Sequence, residues 1–521
     1  MKHHALIATI LSASASFAAT SVSRHGITWT FDKDRNVGQF VNGDWWVVGP
    51  VTVVSVSPAP GEGKTPGEEH KSIYGTAATR PDTAMRNGSM IAAGPGGSQG
   101  FDSRLRNYKA ELSVAFPVSV APGQTLISSV SHGDENSQSF AHAILWRGEK
   151  QGFFALKDAA VLTVLDKAPP AGAFRPAFVG KAGAQRRIFT RAQVDTSKLR
   201  SLAPAPGMPD WAQYERYFER PYVADIVESW LVQVMGPSEN QPCYGREIAR
   251  IGGIAGLMLN TDAPLARKEK LLVGLIQTGI DIHGLTSEGQ RAYGGDGGHW
   301  SGRKWPVFFA GVMLGDKKMA GAGSSAIFAE DQQTHYGKGW AGQRALFQNV
   351  FHSIPALPYE HKMPETWTDK DAAETGSNDK KSEGYRATNI PAWPATALAV
   401  RLMGLVKEWN HDAWIDYCDR VMSADDPYAE ARKASTLPAH QVRPTFEGKT
   451  FDPWVDAMWK AHRASAPAPR WAGNNRMWVW TDHRFPGKGE WRPNPKPAEP
   501  AEAYAAPRQG GESAPNLEST K

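Results

Sequence analysis

The chain has 521 residues, of which 41% are hydrophobic and 21% charged, with 51 glycines, 37 prolines and two cysteines. That is enough apolar material for two or three domains, and it excludes a disordered or fibrous protein. The formal net charge of +5 is small for this length and no Lys/Arg block accompanies it, so no nucleic-acid partner is expected, while an acidic polysaccharide is compatible.

The N-terminus reads as an address. Lys2, His3 and His4 precede a short apolar run, Ala5 to Leu11, and the small residues from Ser12 to Ala19 offer a cleavage site near Ser16-Phe17-Ala18. Residues 1–19 are therefore expected to be a signal peptide of a periplasmic or secreted protein. The run is too short to span a bilayer and no later stretch reaches about 18 apolar residues, so no membrane-spanning segment is expected. Cys243 and Cys418 can form one long-range disulfide in an oxidising compartment or remain two buried thiols; their spacing is not that of a zinc site.

Residues 24–200 carry the pattern of strands. "ITWTF", "WWVVGPVTVVSVS", "KAELSVAFPVSV", "QTLISSVS", "AHAILW" and "AAVLTVL" are rich in β-branched and aromatic residues and are separated by Gly and Pro clusters, which predicts an antiparallel β-sandwich. Two Pro/Ala-rich connectors follow, "KAPPAGAFRPAF" and "SLAPAPGMPDW", and the domain boundary is expected between residues 200 and 218.

Over residues 218–465 the hydrophobic period becomes helical. Ile248, Ile251, Ala255 and Met258 share one face, and Leu271, Leu272, Leu275, Ile276 and Gly279 form a second stripe. Gly252, Gly253 and Gly256 lower helix propensity, which is explained if another backbone lies close against them. Further helices are predicted at about 304–314, 392–406 and 412–422, with Pro306 tolerated in an opening turn. Helix pairs joined by Gly-rich loops suggest an α/α-toroid-like domain. From residue 486 to 521 the Pro, Glu, Ala, Gly and Ser content predicts a disordered tail.

Four stretches carry candidate chemistry. In "RAYGGDGGHWSGRKW", residues 291–305, glycines allow the backbone to approach a ligand. Arg291 and Arg303 can hold a carboxylate or sugar hydroxyls, Tyr293 and His299 can exchange protons, Asp296 can act as acid or base, and Trp300 can stack on a sugar; a tight loop with capping arginines and core tryptophans is the alternative. In "FAEDQQTHYGKGW", residues 328–340, Glu330, Asp331, His335 and Tyr336 supply carboxylates, imidazole and phenol, although adjacent carboxylates on a helix diverge. "ENQPCYGREIAR" offers Asn240, Tyr244 and Arg246 at a helix start, and "SEGYRATNIPAWP" offers Glu383, Tyr385, Arg386 and Asn389 in a segment expected to precede a helix. Phosphate-loop, H-E-x-x-H, G-x-S-x-G and EF-hand patterns do not occur; neither a cofactor nor a metal site is predicted.

The order of a strand-rich domain and a helical domain with polar Gly-rich loops, over roughly residues 24–465, resembles exported polysaccharide lyases and related carbohydrate-active enzymes built on an α/α toroid with a β-sandwich. In those lyases the sandwich usually follows the toroid, whereas here it precedes it. The resemblance implies β-elimination at a uronate, in which Arg, Asn, Gln or His neutralises the sugar carboxylate and Tyr or His takes the adjacent proton. His299, Tyr293, Arg303, His335, Tyr336 and Asp296 are the candidates for catalysis. Asn240, Tyr244, Arg246, Arg291, Trp300, Glu330, Tyr385 and Arg386 are the candidates for substrate binding. Two alternatives stand beside it: a glycoside hydrolase using Asp296 with Glu330 or Asp331, and a non-catalytic glycan-binding protein.

Overall fold

The computed structural model describes residues 16–62, 84–91, 98–104, 108–133, 155–179, 186–226, 237–242, 244–287, 292–295, 297–340, 343–348, 359–368, 379–423, 449–466, 476–480 and 489–493. A mixed β-sheet is built from strands between residues 17 and 165, and a helical region follows. The chain divides into two compact units, residues 1–195 with 216–243, and residues 196–215 with 244–521.

In the first unit the strands are β1 (Phe17–Arg24), β2 (Ile27–Gln39), β3 (Trp45–Val48), β4 (Val51–Ser57), β5 (Gly61–Glu62), β6 (Met85–Arg86), β7 (Ser89–Ile91), β8 (Val118–Val120), β9 (Thr125–Ser131) and β10 (Leu156–Leu165). Eight of them form one sheet in the order β7-β9-β10-β3-β2-β4-β8, with β1 also on β2. Its pairings are antiparallel except that of β10 with β3, which is parallel. Ile27, Trp29 and Phe31 alternate inward with partly exposed neighbours, as a half-buried strand requires. They pack with Val37, Val51, Val53, Leu126 and Leu162 in one core, where the Trp29 indole N–H donates to Ser128 Oγ at 2.9 Å. β10 has neighbours on both edges and is buried along almost its whole length, which explains why Ala159–Leu165 is apolar on both faces but for Thr163. The predicted strand "AHAILW" lies outside the described residues, and only the last three residues of "KAELSVAFPVSV" are strand, as β8, with a 3-10 turn at Ala110–Leu112 before it.

The domain boundary is more involved than a single linker. Residues 196–215 belong to the second unit because Leu202 exchanges backbone hydrogen bonds with Asn260 and Asp262, and the Trp454 indole donates to the Ala205 carbonyl at 3.1 Å. The chain then returns to the first unit, where Ser238 and Glu239 donate their backbone N–H groups to the start of β10 and Arg220 pairs with Asp158 at 2.7 Å. Proline disfavours helix interiors and central strands alike, so this proline-rich stretch reads as a linker although its backbone is paired.

The second unit contains α1 (Trp211–Tyr217, where the division falls), α2 (Gly245–Leu259), α3 (Leu265–Thr286), α4 (Lys304–Leu314), α5 (Lys317–Ala320), α6 (Ala322–Ser325), α7 (Ala329–Gln332), α8 (Asp379–Asn389), α9 (Pro394–Leu402), α10 (Val406–Trp409), α11 (Asp412–Met422) and α12 (Pro453–His462), with strands β11 (Thr334–Tyr336), β12 (Ala345–Phe347), β13 (Arg476–Trp480) and β14 (Gly489–Pro493). The two predicted apolar stripes fall on α2 and α3, and the predicted helix over 304–314 is α4. The segment of Glu383 to Asn389 was expected to precede a helix but lies within α8. The tail expected from residue 486 needs a similar correction, since β14 pairs antiparallel with β13, with Trp491 opposite Trp478. Residues beyond 493 lie outside the described residues. Among the described residues no helix is long and apolar enough to cross a membrane. Cys418 on α11 is a buried free thiol, and Cys243 lies outside the described residues.

Close approach explains the glycines of α2. A Cβ on Gly253 would stand 2.8 Å from the backbone nitrogen of Thr396, and one on Gly256 would stand 2.6 Å from the Trp305 ring. The Trp305 indole N–H donates to the Gly252 carbonyl at 2.8 Å. Gly253→Ala gains about 1 kcal/mol of helix propensity but drives its methyl into a backbone that cannot turn aside, at a cost of about 1–3 kcal/mol. Its midpoint of thermal unfolding is therefore expected to fall; a rise would show that α2 and α9 separate readily.

Candidate functional site

The glycine-rich stretch is held by side chains from other elements. Tyr293 donates its backbone N–H to the Ile327 carbonyl at 2.9 Å, and Gly295 N–H donates to Gln332 Oε1 at 2.7 Å. The Gly297 carbonyl accepts from Gln333 Nε2 at 2.8 Å and Asn389 Nδ2 at 3.2 Å. Gly298 N–H donates to Tyr244 Oη at 2.8 Å, and Gly302 N–H to Glu330 Oε1 at 2.6 Å. Buried backbone groups outside regular structure need such partners. The glycines also let the stretch lie directly on the first turns of α2. A Cβ on Gly245 would stand 1.7 Å from the His299 carbonyl oxygen, and one on Gly302 would stand 2.2 Å from the Ala249 nitrogen.

One group of candidates meets at a partly open face. The Tyr244 and His299 rings stand edge to face, with centroids 5.1 Å apart and planes at 84°. Tyr385 flanks the same turn, since a Cβ on Gly297 would meet its ring at 2.5 Å. His299 and Tyr385 are half-buried, while Tyr244 retains 9% exposure. Tyr244 Oη accepts the Gly298 N–H, and a phenol oxygen that accepts one bond still carries an O–H able to donate. Arg246 lies behind this face, 5.3 Å from the Tyr244 ring centroid and 5.0 Å from that of Phe451. Its guanidinium donates to Glu247 at 2.6 and 2.7 Å and to the Thr388 carbonyl at 3.1 Å.

The other described candidates are interior groups or belong to the first unit. Tyr293 and Arg303 are both 0% exposed. Arg303 donates to the Ser301 carbonyl at 3.0 Å and stands 5.7 Å from the ring centroids of both Tyr293 and Trp300, so it braces the stretch from within. Glu330 and Asp331 diverge as adjacent helical residues must: Glu330 turns to Gly302, and Asp331 forms an ion pair with Lys304. His335 is buried on β11, and burial lowers its pKa to about 4. Tyr336 donates to Asp416 at 2.5 Å. Arg386 pairs with Glu383 at 2.6 Å, beside a Glu360–Arg420 pair at 2.8 Å. Burial pushes the Glu360 carboxyl upward, but Arg420 and Arg386 outweigh it and hold the group below its usual range. Asn240 belongs to the first unit and donates to the Arg220 carbonyl at 3.1 Å. Arg291 and Asp296 lie outside the described residues.

Sequence reasoning missed the glutamines. Gln332 and Gln333 grip the turn on either side of position 296, and Gln348 Nε2 holds the Gln332 carbonyl at 2.7 Å. Their only signal is the pair of amides in "EDQQTHY", which has the look of a solvated surface. Among the described residues no group of three or more His, Cys, Asp or Glu is placed to hold a metal ion.

Glu330 gives the site a pH signature. Burial raises its pKa from 4.5 to about 7, against the Gly302 N–H bond that favours the ionised form. A carboxyl whose folded pKa is raised contributes stability that is fully present below its unfolded pKa and is lost as pH rises through the folded value. The stability of the protein is expected to fall between about pH 4.5 and about pH 7 and to level off above that, by about 3 kcal/mol from this group. Glu330→Gln keeps an oxygen for Gly302 and removes that loss, so its advantage over the wild type in denaturant unfolding should grow from pH 5 to pH 8.5. A difference independent of pH would show that Glu330 is ionised throughout.

The chain matches no protein-family model, and no curated protein or solved structure is similar to it.

Proposed function

We propose that the protein is an exported polysaccharide lyase that cleaves a uronate-containing glycan by β-elimination, with the β-sandwich and α/α-toroid organisation of such enzymes. The observation that carries this reading is the meeting of Tyr244, His299 and Tyr385 on the Gly297–Gly298 turn with Arg246 behind them. An imidazole and a phenol in contact are suited to moving one proton from carbon and another to oxygen. His299 takes the proton from the carbon beside the uronate carboxylate. The electron pair of that C–H bond forms a carbon–carbon double bond as the bond to the glycosidic oxygen breaks. Tyr244 gives its proton to the departing oxygen and recovers one from His299. Arg246 is assigned to the substrate carboxylate, with Glu247 fixing the guanidinium plane, and Tyr385 supplies a sugar-facing ring. Positive charge near the carboxylate stabilises the carbanionic character that develops in the transition state. The hydrolase alternative asks two carboxyls to face one bond across roughly 5–9 Å, whereas Glu330 and Asp331 are both buried and turn to Gly302 and Lys304.

Incubation with a panel of uronate polysaccharides tests the proposal. The expected products carry a double bond conjugated to the carboxylate, absorb in the near ultraviolet and contain no added water. Tyr244→Phe and His299→Ala should each lower the rate by about 100-fold or more in folded protein. Saturated products would mean a hydrolase, and a folded protein that cleaves nothing across the panel would be a glycan-binding protein. Export is part of the same reading. Cleavage near Ser16-Phe17-Ala18 leaves the Ser21–Arg24 part of β1 paired with β2, and N-terminal sequencing of the protein from its producing cell should begin after that site; an intact Met1 would rule export out.

A further inference from the structure

We infer that Gln333 and Asn389 are positioning residues for the Tyr244–His299 pair, acting through the Gly297 carbonyl. The inference rests on the lyase reading for its catalytic consequence, and on geometry alone for the clamp itself.

Gly297 has φ +55°, a left-handed conformation that needs an outside constraint to persist as one turn. Its carbonyl accepts two N–H groups, from Gln333 and Asn389, and Asn389 Nδ2 also donates to Gln333 Oε1 at 3.0 Å. That last bond orients the Gln333 amide, because an oxygen fixed toward Asn389 leaves the amino group facing Gly297. Both side chains are 0% exposed, so neither can touch a polysaccharide, and any influence on chemistry passes through the turn. The same planar peptide presents its other polar group, Gly298 N–H, to Tyr244 Oη, and the residue after Gly298 carries the His299 ring. Gln332 adds a second hold at Gly295 N–H, and Gln348 N–H returns a bond to the Gln333 carbonyl at 2.9 Å. Neutral amides suit this place. A carboxylate would repel the Gly297 carbonyl, whereas an ammonium would set a fixed charge beside the proton-transfer pair.

Gln333→Glu is nearly isosteric and replaces the donor facing Gly297 with an acceptor. In the full chain, hydrogen exchange followed by mass spectrometry should show the peptide containing Gly298 exchanging about tenfold faster or more, with the amides of 304–314 unchanged, as for a local opening. On a cleaved uronate polymer, kcat should fall by about tenfold or more with KM within about twofold, the pattern of a lost transition-state alignment. Asn389→Ala, which removes donors without adding charge, repeats both measurements if Gln333→Glu fails to fold. Unchanged Gly298 exchange in a folded variant overturns the clamp. Accelerated exchange with unchanged kcat overturns the positioning role. Absence of turnover by the wild type overturns the lyase reading and the catalytic purpose of the clamp with it, and the exchange result separately decides whether the clamp exists.

Discussion

A buried backbone outside helix or sheet must find a partner for each N–H and C=O group, and the site depends on how residues 293–302 meet that demand. Water cannot serve most of them, because the stretch lies directly against the first turns of α2. Tyr244, Glu330, Gln332, Gln333, Asn389 and Arg303 serve instead. The partners come from separated parts of the chain, so the turn forms only when α2, α7 and α8 are in place. Its shape is then a property of the second unit as a whole.

The same unit separates two kinds of polar group. Charges that are fully buried have partners: Lys304 with Asp331, Arg386 with Glu383 and Arg420 with Glu360. Removing one member of such a pair leaves an uncompensated charge at low dielectric, which is strongly destabilising. These groups therefore specify one packing and are poorly suited to moving during a reaction. The phenol and imidazole at the half-open face have hydrogens to exchange, and they rest on a turn held by neutral amides. Burial leaves one carboxyl between the two kinds, since Glu330 serves the turn with one oxygen while desolvation favours its protonated form.

Much of the fold was legible in residue order. Runs rich in β-branched and aromatic residues marked β2, β4, β9 and β10, and apolar stripes marked α2 and α3, because burying one face of a helix imposes a period on the sequence. The glycines of α2 also announced a close neighbour before that neighbour was known. The Pro/Ala connector and the strand at Gly489–Pro493 were misread because the signals of composition are local, whereas pairing with Thr261 or with β13 is not.

The candidate site was legible only as a set of residue types. The sequence by itself determined that Tyr, His and Arg would cluster on glycine-rich backbone, since glycine content and polar density are local properties. Only tertiary structure decided which of them are exposed. Tyr244 and Tyr385, far apart in the chain, join His299 at the face, while Tyr293 and Arg303, its near neighbours in sequence, turn into the core. The physical reason is that burial and hydrogen-bond satisfaction are fixed by the elements packed around a side chain, and those elements are contributed by distant segments.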